Sequence, residues 1–208
     1  AGYSVLALDT SRATVTNCIF AYNAANGAQD PLWSGALDAG DAAAGTVIQN
    51  NIFYRNVVPL RISVNFSLDN SNMFHNPDNA TEKNTYNGIF LGGTGPQWIS
   101  TNMSWQETEV PFVIYPGGIQ FGIEETASLT LANGVILKFL PNVEFVIKNN
   151  LNNYNGSGVY FTSFKDDVHG GDTNADGNAS SPSPGDWEGV RDYDYNWMSW
   201  SNILYDNH

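Results

Sequence analysis

Three stretches, VTNCIFAYN (15–23), IQNNIFYRN (48–56) and DNSNMFHNP (69–77), superpose roughly on one pattern, x-x-Asn-x-hydrophobic-Phe-x-x-Asn. Phe53 and Phe74 stand 21 residues apart and Phe20 and Phe53 stand 33 apart. The first interval matches one coil of a solenoid, about 20–25 residues, and the second the same coil with an insertion. The polar, Gly-rich stretch 26–45 supplies that insertion. In a parallel β-helix, inward side chains stack rung on rung, so Phe20, Phe53 and Phe74 are expected to form an internal ladder, with Asn51 and Asn72 stacked in a turn. A weaker echo, SWSNILYDN, closes the chain at 199–207.

Working outward, short apolar or alternating runs recur between Asn, Gly, Pro and Asp: 13–20, 46–53, 60–66, 112–114, 119–123, 128–131, 135–139, 143–147, 159–162 and 187–190. That is strand and turn chemistry, and no window carries a convincing helical period outside the Ala-rich, glycine-bracketed DAGDAAAG at 38–45. Corners are expected near Pro116–Gly118, Ala132–Gly134 and Pro141–Asn142. The fold class read from these features is all-β, a right-handed parallel β-helix with loop excursions. Coils with Asn-rich turns occupy 1–95, and a second β-helical segment occupies 96–208 with an acidic loop at 165–186. A β-sandwich is the competing reading. It requires tight hairpins between matched strands, and only Asn133-Gly134 lies where one is wanted.

Composition narrows the partners. The 208 residues carry 8 Lys and Arg against 21 Asp and Glu, a net charge of -13, so a phosphate-tracking surface would oppose the molecule's own field. Nucleic acid is therefore a poor partner. No apolar run is long enough for a membrane helix, so membrane insertion is not expected. A single cysteine, Cys18, excludes an internal disulfide framework. Aligned with Asn51 and next to Ile19, it reads as a buried or half-buried structural thiol. Bulk polarity comes instead from 26 Asn and 20 Gly.

The densest chemistry lies in VYFTSFKDDVHGGDTNADGNASSPSPGDWEGV (159–190). Asp172, Asn174 and Asp176, followed by Gly177, reproduce the first half of an oxygen-ligand calcium loop. Position 12 is Ser183 and no flanking helix pattern exists, so an EF-hand is not expected. Asp166, Asp167 and Asp186 from neighbouring turns complete the candidate metal set, with Ca2+ as the expected ion. The opposing reading is a solvated loop whose Asp and Asn side chains cap their own backbone. Aromatic residues Trp187, Tyr193, Tyr195, Trp197 and Trp200 form a candidate ligand platform for a glycan or a protein neighbour.

The runs LTLANGVILKFLPNVEFVI (129–147) and GVYFTSFKDDVHGGDTNADGNASSPSPGDWEGV (158–190) resemble a cassette of secreted or cell-surface bacterial right-handed parallel β-helix repeat proteins: a Phe-Thr-Ser strand end, an acidic GGDTN-x-DG excursion, and a Pro-Gly-Asp-Trp-x-Gly strand start. NNIFYRNVVPLRISVNFSLDNSNMFHN (50–76) resembles later coils of such proteins. The resemblance implies an extracellular or cell-surface module of the kind commonly repeated within long polypeptides, many without an established activity; taken with the acidic loop, the expected function is a non-catalytic structural or adhesive module stabilised by calcium. Coils resembling a late part of a helix precede a segment resembling a helix start, as in a window cut from a repetitive protein. Adjacent solenoid repeats or copies of the same chain are then natural neighbours, and head-to-tail stacking into a filament is one alternative function. Another is a carbohydrate-binding or polysaccharide-degrading β-helix protein with an extracellular glycan as partner. Catalysis has little support: Asp166 and Asp167 are adjacent and point apart, His75 and His169 are isolated, Arg55, Arg61 and Lys165 form no cluster, and LGGTG (91–95) lacks the Lys of a phosphate loop. Five Asn-x-Ser/Thr sequons, at Asn65, Asn79, Asn102, Asn155 and Asn178, are compatible with extracellular life.

Overall fold

The computed structural model describes residues 4–23, 34–92, 97–115 and 120–208, and is all-β. Each coil contributes a strand to one long parallel sheet: β1 (Leu6–Ala7), β4 (Leu37–Ala39), β7 (Leu60–Ile62), β10 (Ile89–Leu91), β13 (Phe112–Ile114), β16 (Ile136–Phe139) and β19 (Tyr160–Ser163) stack in that order. A second sheet stacks β11 (Gln97–Ile99), β14 (Gln120–Ile123), β17 (Glu144–Ile147) and β20 (Gly189–Asp192). The third wall is split. β2 (Thr14–Thr16) pairs β5 (Val47–Gln49) and β3 (Ile19–Ala21) pairs β6 (Ile52–Tyr54), while β12 (Met103–Trp105), β15 (Ser128–Leu131) and β18 (Asn150–Asn152) stack further on. The chain is a parallel β-helix. The only antiparallel strand pair among the described residues is a side hairpin, β8 (His75–Asn76) with β9 (Asn79–Lys83), so the sandwich reading is excluded. The long sheet runs through both sequence segments, from β1 to β19.

The ladder is present as expected. Phe20 stacks on Phe53 at 5.1 Å and Phe53 on Phe74 at 5.3 Å, with interplanar angles of 9° and 13°. Further on, Trp105 stacks on Phe112 at 4.9 Å, Phe121 lies 4.6 Å from Phe145, and Phe139 stacks on Trp187 at 4.1 Å. Turns at Ala132–Gly134 and Pro141–Asn142 fall where expected, with positive φ at Gly134 and Asn142; Pro116–Gly118 and part of the 26–45 insertion lie outside the described residues. That insertion also contains β4, so it is partly solenoid wall.

Two asparagine ladders close the turns. Asn51 accepts the Cys18 N–H on Oδ1, and its amide donates to the Val15 carbonyl at 2.9 Å and to Asn72 Oδ1 at 3.1 Å; Asn72 donates in turn to the Ile48 carbonyl. Each amide thus satisfies backbone groups that a turn leaves without strand partners. The second ladder runs Asn23, Asn56, Asn84: Asn23 donates to Asn56 Oδ1 at 2.6 Å and Asn56 to Asn84 Oδ1 at 2.8 Å. Pro77 stands where the repeat pattern wants this third rung, and Asn84 takes the place because the β8–β9 hairpin is inserted between Phe74 and the turn. Asn51→Ala is expected to destabilise the protein by about 2 kcal/mol, because several buried partners lose their hydrogen bonds at once. Chemical denaturation of wild type and variant measures it, and a midpoint shift within error would contradict the role of the ladder.

Cys18 is exposed, contrary to the buried thiol expected from its alignment with Asn51. Asn51 is enclosed by coils on both sides, whereas Cys18 lies in the first described coil. At the other end, residues 197–206 return along the last coil. Phe161 bridges Ile203, Trp187 bridges Asp206, and the Met198 N–H donates to the Val190 carbonyl.

Candidate functional site

Outward-facing positions of a β-helix are normally polar, and the long sheet departs from this rule. Arg61, Phe90, Val113, Lys138 and Thr162 occupy one outward row in register across β7, β10, β13, β16 and β19, and all five are buried. From β7 to β19 both faces of this sheet are covered, which is why these strands read as largely apolar runs. The acidic loop after β19 provides part of the outer cover. Phe164 meets Phe90 edge-on at 6.4 Å, and the Thr173 methyl packs so close to Gly88 that a Cβ there would lie 3.0 Å from it. Gly170 lies against the Pro111 ring, again at a distance that leaves little room for a side chain. Lys138 reaches up from β16, donating to the Gly171 carbonyl at 2.6 Å and to Thr173 Oγ1 at 2.9 Å. Burial pulls the Lys138 ammonium down to about 8, with Asp166, Asp167 and Asp172 opposing that shift.

The loop itself is built from side chains that fix their own backbone. Asp172 accepts the Asp176 and Gly177 N–H groups at 3.2 and 2.9 Å, and Ala175 and Gly177 both adopt positive φ, at 59° and 71°. Asn174 donates to Asp176 Oδ2 at 2.8 Å, and the Ser180 hydroxyl donates to the same oxygen. This turn brings oxygens of Asp167, Asp172 and Asp176 within 4.8 Å of one another. Asp167 Oδ1, Asn174 Oδ1 and Asp176 Oδ1 are buried atoms without a hydrogen-bond partner among the described residues. Burial pushes the Asp167 carboxyl up, and the neighbouring Asp172 and Asp176 charges push the same way.

The candidate metal residues therefore divide. Asp167, Asp172 and Asp176 converge, with Asn174 beside them through its hydrogen bond to Asp176. Asp166 is fully buried and turned away: it accepts Thr162 Oγ1 at 2.6 Å and the Val168 N–H at 3.0 Å, and its Oδ2 lies 2.7 Å from His169 Nδ1. Its pKa is lowered by these hydrogen bonds, against burial, which acts the other way. Asp186 is likewise occupied, by Ser163 Oγ at 2.7 Å and Lys165 Nζ at 2.7 Å. Both acids anchor the loop's ends to β19.

The aromatic platform needs correction. Trp187 is 1% exposed, stacked on Phe139, with its indole N–H donating to the Leu204 carbonyl at 2.9 Å; it is core, enclosed between Phe139 and the returning C-terminal segment. Trp197 stacks on His208 and Trp200 on Tyr154, while Tyr193 and Tyr195 are 60% and 71% exposed. The cations are paired: Arg55 with Glu82, Arg61 with Asp38, Lys165 with Asp186. His75 and His169 are also partnered, with Glu109 and Asp166.

Comparison of the chain with family models, with curated proteins and with solved structures gives no match. No helix among the described residues is long and apolar enough to cross a membrane.

A feature with no sequence signature is Glu107, a fully buried carboxyl in the turn before β13. Its Oε1 accepts the Thr108 and Glu109 N–H groups at 2.9 and 2.8 Å, while Oε2 has no partner among the described residues. Burial raises its pKa from 4.5 to about 7. The folded state holds this proton more tightly than the unfolded chain, so its contribution to stability is complete below about pH 4.5 and is lost as pH rises through about 7. Glu107→Gln keeps an oxygen for the two N–H groups and removes the titration. Relative to wild type it is expected to gain about 3 kcal/mol between pH 5 and pH 8, read by urea unfolding at both. Parallel pH profiles for the two proteins would contradict this.

Proposed function

We infer that this chain is a structural or adhesive β-solenoid module of an extracellular or cell-surface protein, whose acidic loop is closed by a bound calcium ion. The observation that carries the reading is the cluster of three carboxylates, Asp167, Asp172 and Asp176, two of which, like the neighbouring Asn174, carry a buried oxygen without a hydrogen-bond partner among the described residues. Like charges at this spacing repel, and buried oxygens without donors are costly; a hard cation removes both penalties at once. Oxygen-only ligands from a loop favour Ca2+ over Mg2+, which demands near-ideal octahedral geometry. Four side chains from a partly open loop suit the weak affinity of extracellular modules, Kd about 10⁻⁴ to 10⁻³ M. The resemblance of 158–190 to the excursion of secreted β-helix repeat proteins points to the same setting. Bound there, the ion fastens the loop over Phe90, Val113 and Lys138, so the module's rigidity depends on calcium.

Calorimetric titration with CaCl2 tests this. One site per chain is expected in wild type. Asp176→Asn is expected to weaken it at least tenfold, and Asp166→Asn, outside the cluster, to leave a measurable site. No heat up to 10 mM, roughly ten times the weakest expected Kd, would contradict the reading.

A further inference from the structure

The second sheet carries a feature unrelated to the acidic loop. Its outward row aligns Trp98, Gly122, Val146 and Arg191 across β11, β14, β17 and β20, opposite in parity to the inward Phe121, Phe145 and Val190. Gly122 lacks a side chain, and the Trp98 indole lies over it: a Cβ there would overlap the ring. Lys148 Nζ sits 4.0 Å from the Trp98 ring centroid, and the Arg191 guanidinium 4.1 Å from that of Tyr195. With Gln120, Tyr193 and Asp194, these residues line a surface groove of about 450 Å³.

We propose that this groove binds a short segment of a neutral glycan, laid across the strands between Trp98 and Tyr195. Its shape fits: three inter-strand steps separate β11 from β20, about 14 Å, the reach of a short oligosaccharide. Its chemistry fits as well. A half-buried ring, Trp98, and an exposed one, Tyr195, stand at its two ends with apolar surface for sugar C–H groups, and the polar groups between them are planar and held in place. Glu144 receives Arg191 Nε at 2.8 Å, Arg191 Nη2 at 3.0 Å and Gln120 Nε2 at 2.7 Å. Arg191 also donates to the Asp192 carbonyl, so this buried guanidinium fixes the floor of the groove beneath Tyr195. Lys148 is paired with Glu124 at 2.9 Å, so both cations of the groove are already neutralised. Together with the net charge of -13, this disfavours polyanionic ligands and leaves an uncharged polyhydroxyl chain as the match.

Affinity electrophoresis in native gels tests the assignment, with neutral polysaccharides (β-glucan, xylan, mannan, galactan) and the polyanions alginate and polygalacturonate as probes. Retardation by at least one neutral polysaccharide is expected. Trp98→Ala and Tyr195→Asn are each expected to weaken it about tenfold, the loss of one stacked ring. Asn at 195 tolerates the positive φ of that residue, so this exposed variant retains the fold even if Trp98→Ala does not. Tyr22→Ala, on an exposed ring outside the groove, is expected to bind as wild type. Retardation by no neutral polysaccharide, retardation by the polyanions alone, or full binding in Tyr195→Asn would overturn the proposal.

Discussion

Phe53→Ala is expected to destabilise the protein by about 4 kcal/mol, the largest effect of any single substitution considered. Phe53 is fully buried and is the middle ring of three, with Phe20 on one side and Phe74 on the other. Truncation removes both stacking contacts and leaves a hole between rungs whose spacing is fixed by backbone hydrogen bonds on either side, so collapse is limited. In urea the unfolding midpoint is expected to fall steeply with little change in slope. Phe20→Ala, at the ladder's end with one stacked neighbour, is expected to cost less. Equal effects at the two positions would contradict the stacked arrangement.

Calcium is expected to produce the second large effect. At 10 mM free calcium, about a hundredfold above the tighter end of the expected Kd range, an ion bound only to the folded state stabilises it by about 2.7 kcal/mol. For a chain of this size that raises the unfolding temperature by about 10 °C. Asp176→Asn is expected to abolish most of the rise. Without calcium, the same variant is expected to be at least as stable as wild type, because it removes one of three mutually repelling charges. A variant destabilised equally with and without calcium would instead assign Asp176 to ordinary loop hydrogen bonding.

The sequence made the stacked core legible where a residue type recurred at coil spacing. Phe20, Phe53 and Phe74 stack, and Asn51 and Asn72 bond, because each lies at the same point of its coil. Asn84 escaped notice because the hairpin before it displaces the rung from the repeat pattern. Trp187 follows a Pro-Gly-Asp turn and so resembles a loop aromatic, yet it precedes β20, bridges Asp206 of the returning C-terminal segment and stacks on Phe139. Among the acids, composition announced a cluster without revealing its members: adjacent residues point to opposite sides, so Asp167 joins the site and Asp166 is spent on Thr162 and His169. Lys138 gave no signal at all. An outward lysine on a strand normally reaches solvent, and here a loop from a later coil returns over it. Covering of one element by another distant in sequence is not written in local pattern, and that is where the reading of residues alone ended.

The central claim is that a cation closes the acidic loop onto the outer row of the long sheet. Amide hydrogen exchange, followed by mass spectrometry in CaCl2 and in chelator, addresses it directly. Calcium is expected to slow exchange across 164–180, most strongly around 172–177, while strands β10, β13 and β16 beneath exchange slowly in both conditions. Identical exchange of the loop with and without calcium would contradict the account.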